Sequence, residues 1–154
     1  MTNDECKMTN VRVLAANEAV VLNDVAPGVF DHVIDARWCA EFFADPRHHL
    51  AVALLDRQVI GMASAVHYVH PDKPPELWVN EVGVAPPHQG QGIGKRLLQA
   101  LFAHARSLGC CEAWVLTDGA NAPARKLYAS AGGREETTMM ISFELDVPRT
   151  NSPA

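Results

Sequence analysis

A glycine-rich segment near the centre of the chain places the strongest constraint on the fold. Residues 82–94 read VGVAPPHQGQGIG, so an apolar strand runs into a glycine-rich turn that opens a helix. The helix is amphipathic, and its apolar face consists of Ile93, Leu97, Leu98, Leu101, Phe102, Ala105 and Leu108. Such a turn exposes backbone N–H groups at the positive end of the helix dipole, so this segment predicts a phosphate-binding site.

The glycine spacing separates this turn from two other phosphate-binding loops. No Gly-Lys-Ser/Thr sequence closes it, as in a P-loop, and it does not match the GxGxxG pattern of dinucleotide-binding folds. The spacing is instead Gln89-x-x-Gly92-x-Gly94. The alternative interpretation is an ordinary tight turn between a strand and a helix.

The remaining sequence predicts a single α/β domain with the order βααβββαβαβ. Predicted strands are 11–14, 49–55, 59–69, 76–84, 113–117 and 137–145, and predicted helical regions are 17–43 with a break at Pro27-Gly28, 92–108 and 121–131. The unit from 79 to 116 should be parallel with a right-handed crossover, and the rest of the sheet largely antiparallel. We expect one domain over residues 11–146, with loose ends at 1–10 and 147–154.

Composition and charge restrict the partners of this domain. The chain has 154 residues, 48% hydrophobic and 20% charged, as in ordinary globular proteins. Its formal net charge of −5 and its lack of a Lys/Arg cluster argue against nucleic acid and suit a cationic small substrate. Met1 to Thr9 lacks the apolar stretch of a signal peptide or membrane helix, and the four cysteines form no CxxC pair, so we expect a cytoplasmic protein with reduced thiols.

Two segments together resemble the GNAT superfamily of N-acetyltransferases. Gln89-x-x-Gly92-x-Gly94 resembles that superfamily's signature Gln/Arg-x-x-Gly-x-Gly/Ala, and 121–128, NAPARKLY, resembles its second element. The resemblance implies a GNAT fold with a mostly antiparallel mixed sheet of about six or seven strands and about four helices. It also implies acetyl-CoA as the cofactor, a homodimer, and direct attack of a neutral amine on the thioester. The implied cofactor-binding residues are Val82, Gly83, Val84, Gln89, Gly90, Gln91, Gly92, Ile93, Gly94, Lys95, Asn121, Ala124 and Tyr128.

Two residues are candidates for proton transfer. The resemblance implies that the Tyr128 hydroxyl protonates the departing thiolate; the alternative is a half-buried aromatic whose hydroxyl is satisfied locally. The amine must be neutral to react, and Glu81 is the candidate base, because it lies in an apolar strand where partial burial would raise its pKa. Strict alternation places Glu81 on one face with Leu77, Val79 and Gly83, and a bulge at Gly83 would turn it toward a cleft. The alternative is a solvent-facing carboxylate.

A closer resemblance concerns the substrate. Segments 76–84, 117–121 and 127–136 are similar to the small aminoglycoside 3-N-acetyltransferases, which confer antibiotic resistance. The resemblance implies that Glu81 approaches the acceptor amine and that Asp118 lines the drug pocket, with Asn80 a further candidate substrate contact. An acidic cleft suits a polycationic drug, so Glu135 or Glu136, and Asp72, are added as candidates on charge alone. Asn80 replaces the usual aromatic residue and Gln89 the usual basic one. For Glu135 and Glu136 the alternative is a surface charge without a binding role.

The same residues leave other functions open. The chain could acetylate another amine, such as a polyamine, an amino-acid derivative or a protein N-terminus, or it could bind acyl-CoA as a sensor without turnover. His67 and His70, or His48 and His49, lack a third ligand, so no metal site is expected. The tryptophans are expected in the core or at its rim, and the last strand, 137–145, is the expected dimer contact.

Overall fold

The computed structural model describes residues 9–149, and they form one mixed sheet with helices on both faces. The strands are β1 (Asn10–Val13), β2 (His48–Leu55), β3 (Gln58–Tyr68), β4 (Glu76–Val84) and β5 (Glu112–Val115). The α-helices are α1 (Ala36–Ala44), α2 (Ile93–Ser107) and α3 (Ala122–Ser130), and short 3-10 helices span Ala19–Asn23 and Pro86–His88. Cys6 and most of the expected loose ends lie outside the described residues.

The sheet order is β1-β2-β3-β4-β5. The first four strands pair antiparallel, and β5 pairs with β4 in parallel. The predicted parallel unit around α2 is therefore confirmed, as is the hairpin between β2 and β3. Asp56 adopts a φ of 56° in that hairpin, a left-handed conformation that Asp tolerates better than most residues.

The core lies mainly between the sheet and α2. The strands present small residues to this helix: Ala51, Ala53, Gly61, Ala63 and Ala65. A Cβ on Gly61 would come within 3.1 Å of the Ile93 side chain, so α2 lies very close to β3. Leu97, Leu98 and Leu101 are the fully buried members of the helix and confirm the predicted apolar face.

The predicted helical region 17–43 is only partly helical. The 3-10 helix at Ala19–Asn23 is followed by an irregular segment, and α1 begins after Asp35, whose carboxylate accepts hydrogen bonds from the backbone N–H groups of Arg37 and Trp38. The break centres on Pro27-Gly28, as the sequence predicted, with Gly28 at a φ of 84°.

The predicted last strand, 137–145, is not formed. Residues 132–149 are all exposed and pair with no strand among the described residues. The apolar–polar alternation of this segment indicates which side chains share a face, but a strand also needs a neighbour to satisfy its backbone groups, and the segment has no such neighbour within residues 9–149.

The element count consequently differs from the expectation. Within residues 9–149 the structure has five strands and three α-helices, so the expected six to seven strands and four helices are wrong in detail. The missing strand is 137–145, and the missing helix is the one expected near Asn17, which is reduced to a 3-10 turn.

Three histidines link α2 to the sheet. His49 Nε2 lies 2.7 Å from His67 Nδ1, and His49 Nδ1 lies 3.1 Å from His104 Nε2. Burial, reinforced by the neighbouring His104 and His67, lowers the pKa of His49 to about 4. His49 is therefore neutral in the folded protein at pH values where it is protonated in the unfolded chain.

Acidification should destabilise the protein through His49. Since the folded pKa is below the unfolded one, the stabilisation is complete above about pH 6.5 and is lost as pH falls toward 4, reaching a loss of about 2 kcal/mol at pH 5. The free energy of unfolding, determined with urea at pH 7.5 and at pH 5.0, measures this loss. His49→Gln should remove this part of the pH dependence, whereas the exposed His32→Asn should retain it. An equal loss in wild type and His49→Gln would contradict the assignment.

Candidate active site

A one-residue bulge in β4 positions the candidate base. Ser64 pairs with Glu81 whereas the next residue, Ala65, pairs with Val79, so Asn80 is the extra residue. The bulge expected at Gly83 is therefore found at Asn80. A bulge shifts the alternation of side chains by one position. Each side chain of β4 after Asn80 therefore lies on the face opposite to the one that strict alternation predicts.

Because of this bulge, Glu81 lies on a different sheet face from the one expected. It pairs with Ser64, and Trp78 pairs with Val66, two positions along the same strand, so Glu81 and Trp78 share a face. Val79 points instead into the core beneath α2 and is 2% exposed. The strict alternation that grouped Glu81 with Val79 is wrong. The Glu81 side chain is exposed, so the expected partial burial is not found.

The pairing of β4 with β5 ends where the bulge begins. Their parallel pairing runs from Glu76 and Glu112 to Val79 and Val115 and then stops. Residues 80–84 of β4 consequently have no strand partner on that side among the described residues. An unpaired strand edge can bind an extended ligand that carries amide groups. Val82 and Val84, predicted cofactor contacts, lie along this edge.

The glycine-rich turn presents an open backbone. Gly90 and Gly92 adopt φ values of 76° and 79°, and a Cβ on either would meet no atom within 4 Å. Gly92 is the N-cap of α2, and no side chain caps the first-turn N–H groups. The first-turn donors, which belong to Ile93, Gly94 and Lys95, are therefore available to an anion. The side chain of Ile93 itself is buried in the core.

Gln89 has a role in the turn that the motif did not reveal. Its Nε2 donates a hydrogen bond to the carbonyl oxygen of Val84 at 3.0 Å. The side chain thus ties the turn to the end of β4. Gln91, in the same turn, is exposed.

Gly94 brings α3 against the start of α2. A Cβ at Gly94 would come within 3.1 Å of Leu127, so a larger residue would force the helices apart. Tyr128 follows Leu127 and is half-buried, and burial raises the pKa of its phenol. Its hydroxyl has no hydrogen-bond partner within residues 9–149. A protonated phenol without a partner is suited to donate a proton to a ligand.

Two polar side chains in the loop before α3 accept hydrogen bonds from nearby backbone N–H groups. Asn121 is the N-cap of α3 and accepts a hydrogen bond from the Ala124 N–H at 3.2 Å, which confirms the predicted cap. Asp118 is exposed and accepts from the Ala120 N–H at 2.8 Å. Its second carboxylate oxygen remains available to a substrate ammonium.

The two C-terminal acids differ in their partners. Glu135 forms a bidentate ion pair with Arg125, with both contacts at 2.8 Å, and this pair lowers the pKa of Glu135. Its charge is already compensated, which favours the surface interpretation for Glu135. Glu136 is exposed in the irregular C-terminal segment.

An open groove adjoins the face that carries Glu81. A Cβ on Gly83 would come within 2.1 Å of the Val29 carbonyl oxygen, so the segment around Val29 lies directly on β4. That segment helps to line a groove of about 830 Å³ formed by residues between Ala19 and Ala40. Gly83 therefore permits a close approach of two backbones, a role that the motif analysis did not assign.

Sequence reasoning missed an aromatic cluster on the same face. Tyr68, Trp78 and Trp114 come from β3, β4 and β5 and meet in space. Trp78 is 36% exposed, as expected for a rim position. No local motif marks the cluster, because strand pairing alone brings the three rings together.

The fold and this site define an acyltransferase class. The Acetyltransferase (GNAT) family profile matches residues 20–132, most of the chain, so the protein belongs to the GNAT family of acetyltransferases. Enzymes of this family use acetyl-CoA.

Curated proteins with similar sequences are named as different kinds of acetyltransferase. The chain is 32% identical over 120 residues to a mycothiol acetyltransferase of Pseudarthrobacter chlorophenolicus, covering 77% of this chain but 37% of that protein. The chain thus spans little more than a third of that curated relative. It is 28% identical over 119 residues to an uncharacterised N-acetyltransferase of Mycobacterium bovis, covering 77% and 73% of the two chains.

Solved structures share the fold. An aminoglycoside acetyltransferase from an uncultured soil metagenomic sample, in complex with sisomicin, superposes with a TM-score of 0.79 at 20% identity, over 90% of this chain and 97% of that chain. An aminoglycoside N-acetyltransferase, AAC(6')-Iy, in complex with CoA superposes with a TM-score of 0.70 at 23% identity, over 91% and 96% of the chains.

The residues present fit acetyl-CoA. The uncapped N–H groups after Gly92 suit a pyrophosphate, and the unpaired edge of β4 suits an amide-bearing arm. No group of three or more His, Cys, Asp or Glu within residues 9–149 is arranged to hold a metal ion. None of the helices in this range is long and apolar enough to span a membrane.

Proposed function

We propose that the protein is an aminoglycoside N-acetyltransferase that modifies the 3-amino group and thereby confers antibiotic resistance. The observation that carries the proposal is the position of Glu81, an exposed side chain that the bulge at Asn80 places next to the point where the pairing of β4 and β5 ends. A carboxylate there can meet an ammonium group next to the site of acyl transfer. The aminoglycoside acetyltransferases of similar fold support the choice of substrate.

Glu81 prepares the acceptor for reaction. Its carboxylate accepts a proton from the acceptor ammonium, directly or through a water, and leaves a neutral nitrogen with a free electron pair. When bound, acetyl-CoA supplies an acetyl group activated as a thioester. The N–H groups of the first turn of α2 would hold the pyrophosphate, and the edge of β4 at Val82 and Val84 would align the arm that carries the thioester.

Tyr128 completes the proton balance. Its raised pKa keeps the phenol protonated at physiological pH, and its hydroxyl has no competing partner within the described residues. When acetyl-CoA is bound, the Tyr128 hydroxyl would protonate the thiolate released as the nitrogen bonds to the acetyl carbon and the carbon–sulfur bond breaks. Glu81 holds the first proton taken from the nitrogen, and the second proton that the nitrogen must lose leaves to water. Glu81 then releases its proton to water and Tyr128 takes one up, so both return to their starting protonation states.

Acidic groups around this face bind the rest of the acceptor. Asp118 retains an available carboxylate oxygen, and Asn80 is exposed at the bulge, where it can accept or donate a hydrogen bond. Glu136 adds a charge farther along the chain, whereas Glu135 is paired with Arg125. An aminoglycoside with several ammonium groups complements such a face.

A second acceptor is suggested by the named relatives. The chain is 32% identical to a mycothiol acetyltransferase, so the substrate of that protein is a candidate acceptor for the same Glu81 and Tyr128 chemistry. Polyamines, amino-acid derivatives and protein N-termini are the remaining amines, and a sensor without turnover is the non-enzymatic alternative.

A panel of acceptors tests the proposal. Release of coenzyme A is measured with acetyl-CoA and either kanamycin, sisomicin, the mycothiol precursor amine, spermidine or a short peptide. We expect the highest kcat/KM with an aminoglycoside, and mass spectrometry and NMR of the product should locate the acetyl group on the 3-amino nitrogen. Acetylation at another nitrogen would contradict the regiochemistry, and turnover of only the other amines would contradict the substrate.

We also propose that the protein is a homodimer through its C-terminal segment, residues 137–147. Apolar residues alternate along it, and all are exposed in the single chain: Met139, Ile141, Phe143, Leu145 and Val147. The intervening Ser142, Glu144 and Asp146 are polar. This pattern is typical of a half-buried strand, and the free edge of β5 in a second copy can pair with it.

Light scattering after size exclusion tests the dimer. The full chain should elute with twice its mass of 16.8 kDa. An Ile141→Asp/Phe143→Asp variant should run as a monomer, because two charges then occupy the apolar face. A Glu144→Gln variant, altered on the polar face, should remain dimeric. A monomeric wild type at micromolar concentration would contradict the proposal.

A further inference from the structure

The two tryptophans of the aromatic cluster form a parallel stack, here called the indole stack. Trp78 and Trp114 occupy paired register positions on β4 and β5, with ring centroids 5.1 Å apart and planes inclined by 12°. Tyr68 meets Trp114 edge to face, with centroids 6.4 Å apart at 86°. Three aromatic side chains thus line adjacent strands at the edge of the sheet.

A hydrogen bond fixes the orientation of Trp114 and Tyr68. The Trp114 Nε1–H donates to the Tyr68 hydroxyl at 3.1 Å. Glu76 lies next to this pair, and its carboxylate accepts from His70 Nε2 at 2.7 Å. The hydrogen bond from His70 is the main reason that the pKa of Glu76 is lowered, with Lys73 and Tyr68 adding to it. Trp114 and Tyr68 are therefore held in place by this bond, Trp78 is held by its stacking on Trp114, and the nearby carboxylate is kept ionised.

The indole stack lies on the same sheet face as the candidate base, and Trp78 and Glu81 are both exposed there. Trp78 and Glu81 share this face because of the bulge at Asn80. Within residues 9–149, α2 packs on the opposite face and α1 packs on β2, so neither helix covers the stack. Aromatic rings that served only to pack the core would be buried. These rings are partly exposed and lie beside the candidate base, which is the arrangement of a binding surface.

We infer that the indole stack is the specificity surface for the acceptor and that it binds the face of an amino-sugar or aminocyclitol ring. This inference rests on the proposed function and names the part of the acceptor that the site recognises. The apolar C–H face of a saturated ring packs on an indole, and an ammonium on that ring gains a cation–π attraction. Glu81 then receives the reacting amine of the same acceptor. An acyclic polyamine has no ring face to present, so the stack discriminates against it.

Substitution of Trp78 tests the inference through KM. Trp78→Ala should raise the KM for kanamycin roughly tenfold while kcat and the KM for acetyl-CoA change less than about twofold. Trp78→Phe should recover most of the affinity, because it keeps an aromatic face and guards against a folding defect in the alanine variant. Trp38→Ala removes an exposed tryptophan on α1, away from the stack, and should leave every constant unchanged.

Fluorescence provides a second readout that does not need turnover. The chain has three tryptophans, so Trp38→Phe leaves the indole stack as the source of indole emission. Titration of this variant with kanamycin in the presence of coenzyme A should quench that emission with a midpoint near the KM, whereas spermidine should not.

The outcomes separate the inference from the proposed function. Aminoglycoside turnover with no KM change in Trp78→Ala and no quenching overturns the inference and leaves the function standing. Quenching by kanamycin without acetylation overturns the function while supporting the stack as an amino-sugar surface. An equal loss of kcat with every acceptor in both Trp78 variants indicates a structural role and overturns the inference.

Discussion

Replacing Glu81 by glutamine is expected to lower kcat/KM for the acceptor by about 100-fold at pH 7. The amide is the same size as the carboxylate but cannot accept the ammonium proton. The loss should shrink as pH rises, because hydroxide in the solvent then deprotonates the amine. Initial rates from pH 6 to pH 9.5 measure both effects, and Glu41→Gln, an exposed carboxamide variant on α1, is the matched control.

The pH profile distinguishes a base from a simple binding charge. A loss of Glu81 that acts only through binding would raise the KM for the acceptor equally at every pH and leave kcat unchanged. A pH-independent defect in Glu81→Gln, confined to KM, would therefore contradict the assignment of Glu81 as the base.

Replacing Tyr128 by phenylalanine should lower kcat by about 100-fold and leave the Kd for acetyl-CoA within about twofold of wild type. Phenylalanine keeps the half-buried ring and its packing against the core while removing the proton donor. Burial raises the pKa of Tyr128, so the wild-type kcat should show no alkaline decline attributable to this group below about pH 10. Stopped-flow turnover and calorimetric titration of acetyl-CoA measure the two quantities.

Thermal unfolding is the control for Tyr128→Phe. Its midpoint should stay close to that of wild type, because the hydroxyl makes no hydrogen bond within the described residues. Wild-type kcat in the variant, with normal binding, would remove Tyr128 from the chemistry and favour the interpretation as a packing residue.

The local motifs carried most of the information about the cofactor site. The glycine spacing at Gln89 to Gly94 and the cap at Asn121 depend on backbone conformation and neighbouring residues, so they could be predicted from the chain alone. The face assignment of Glu81 could not. A bulge at Asn80 depends on how β3 and β4 settle into register, and periodicity assumes that the register is unbroken.

Contacts between distant segments explain the remaining differences. Gly83 and Gly94 look like parts of one loop motif, yet the first accommodates the Val29 carbonyl and the second accommodates Leu127. The His49, His67 and His104 cluster and the indole stack arise in the same way, because their members come from different elements. No sequence pattern encodes a neighbour that is tens of residues away.

The sequence by itself determined the glycine-rich turn at the start of an amphipathic helix, because these features depend on local propensity and periodicity, and the resemblance of its two motifs indicated the GNAT family. Only the tertiary structure decided which face Glu81 occupies, where the pairing of β4 and β5 ends, and that residues 137–145 form no strand within the single chain. The physical reason is that strand pairing satisfies backbone hydrogen bonds between distant segments, and a partner for each edge exists only once the chain has folded.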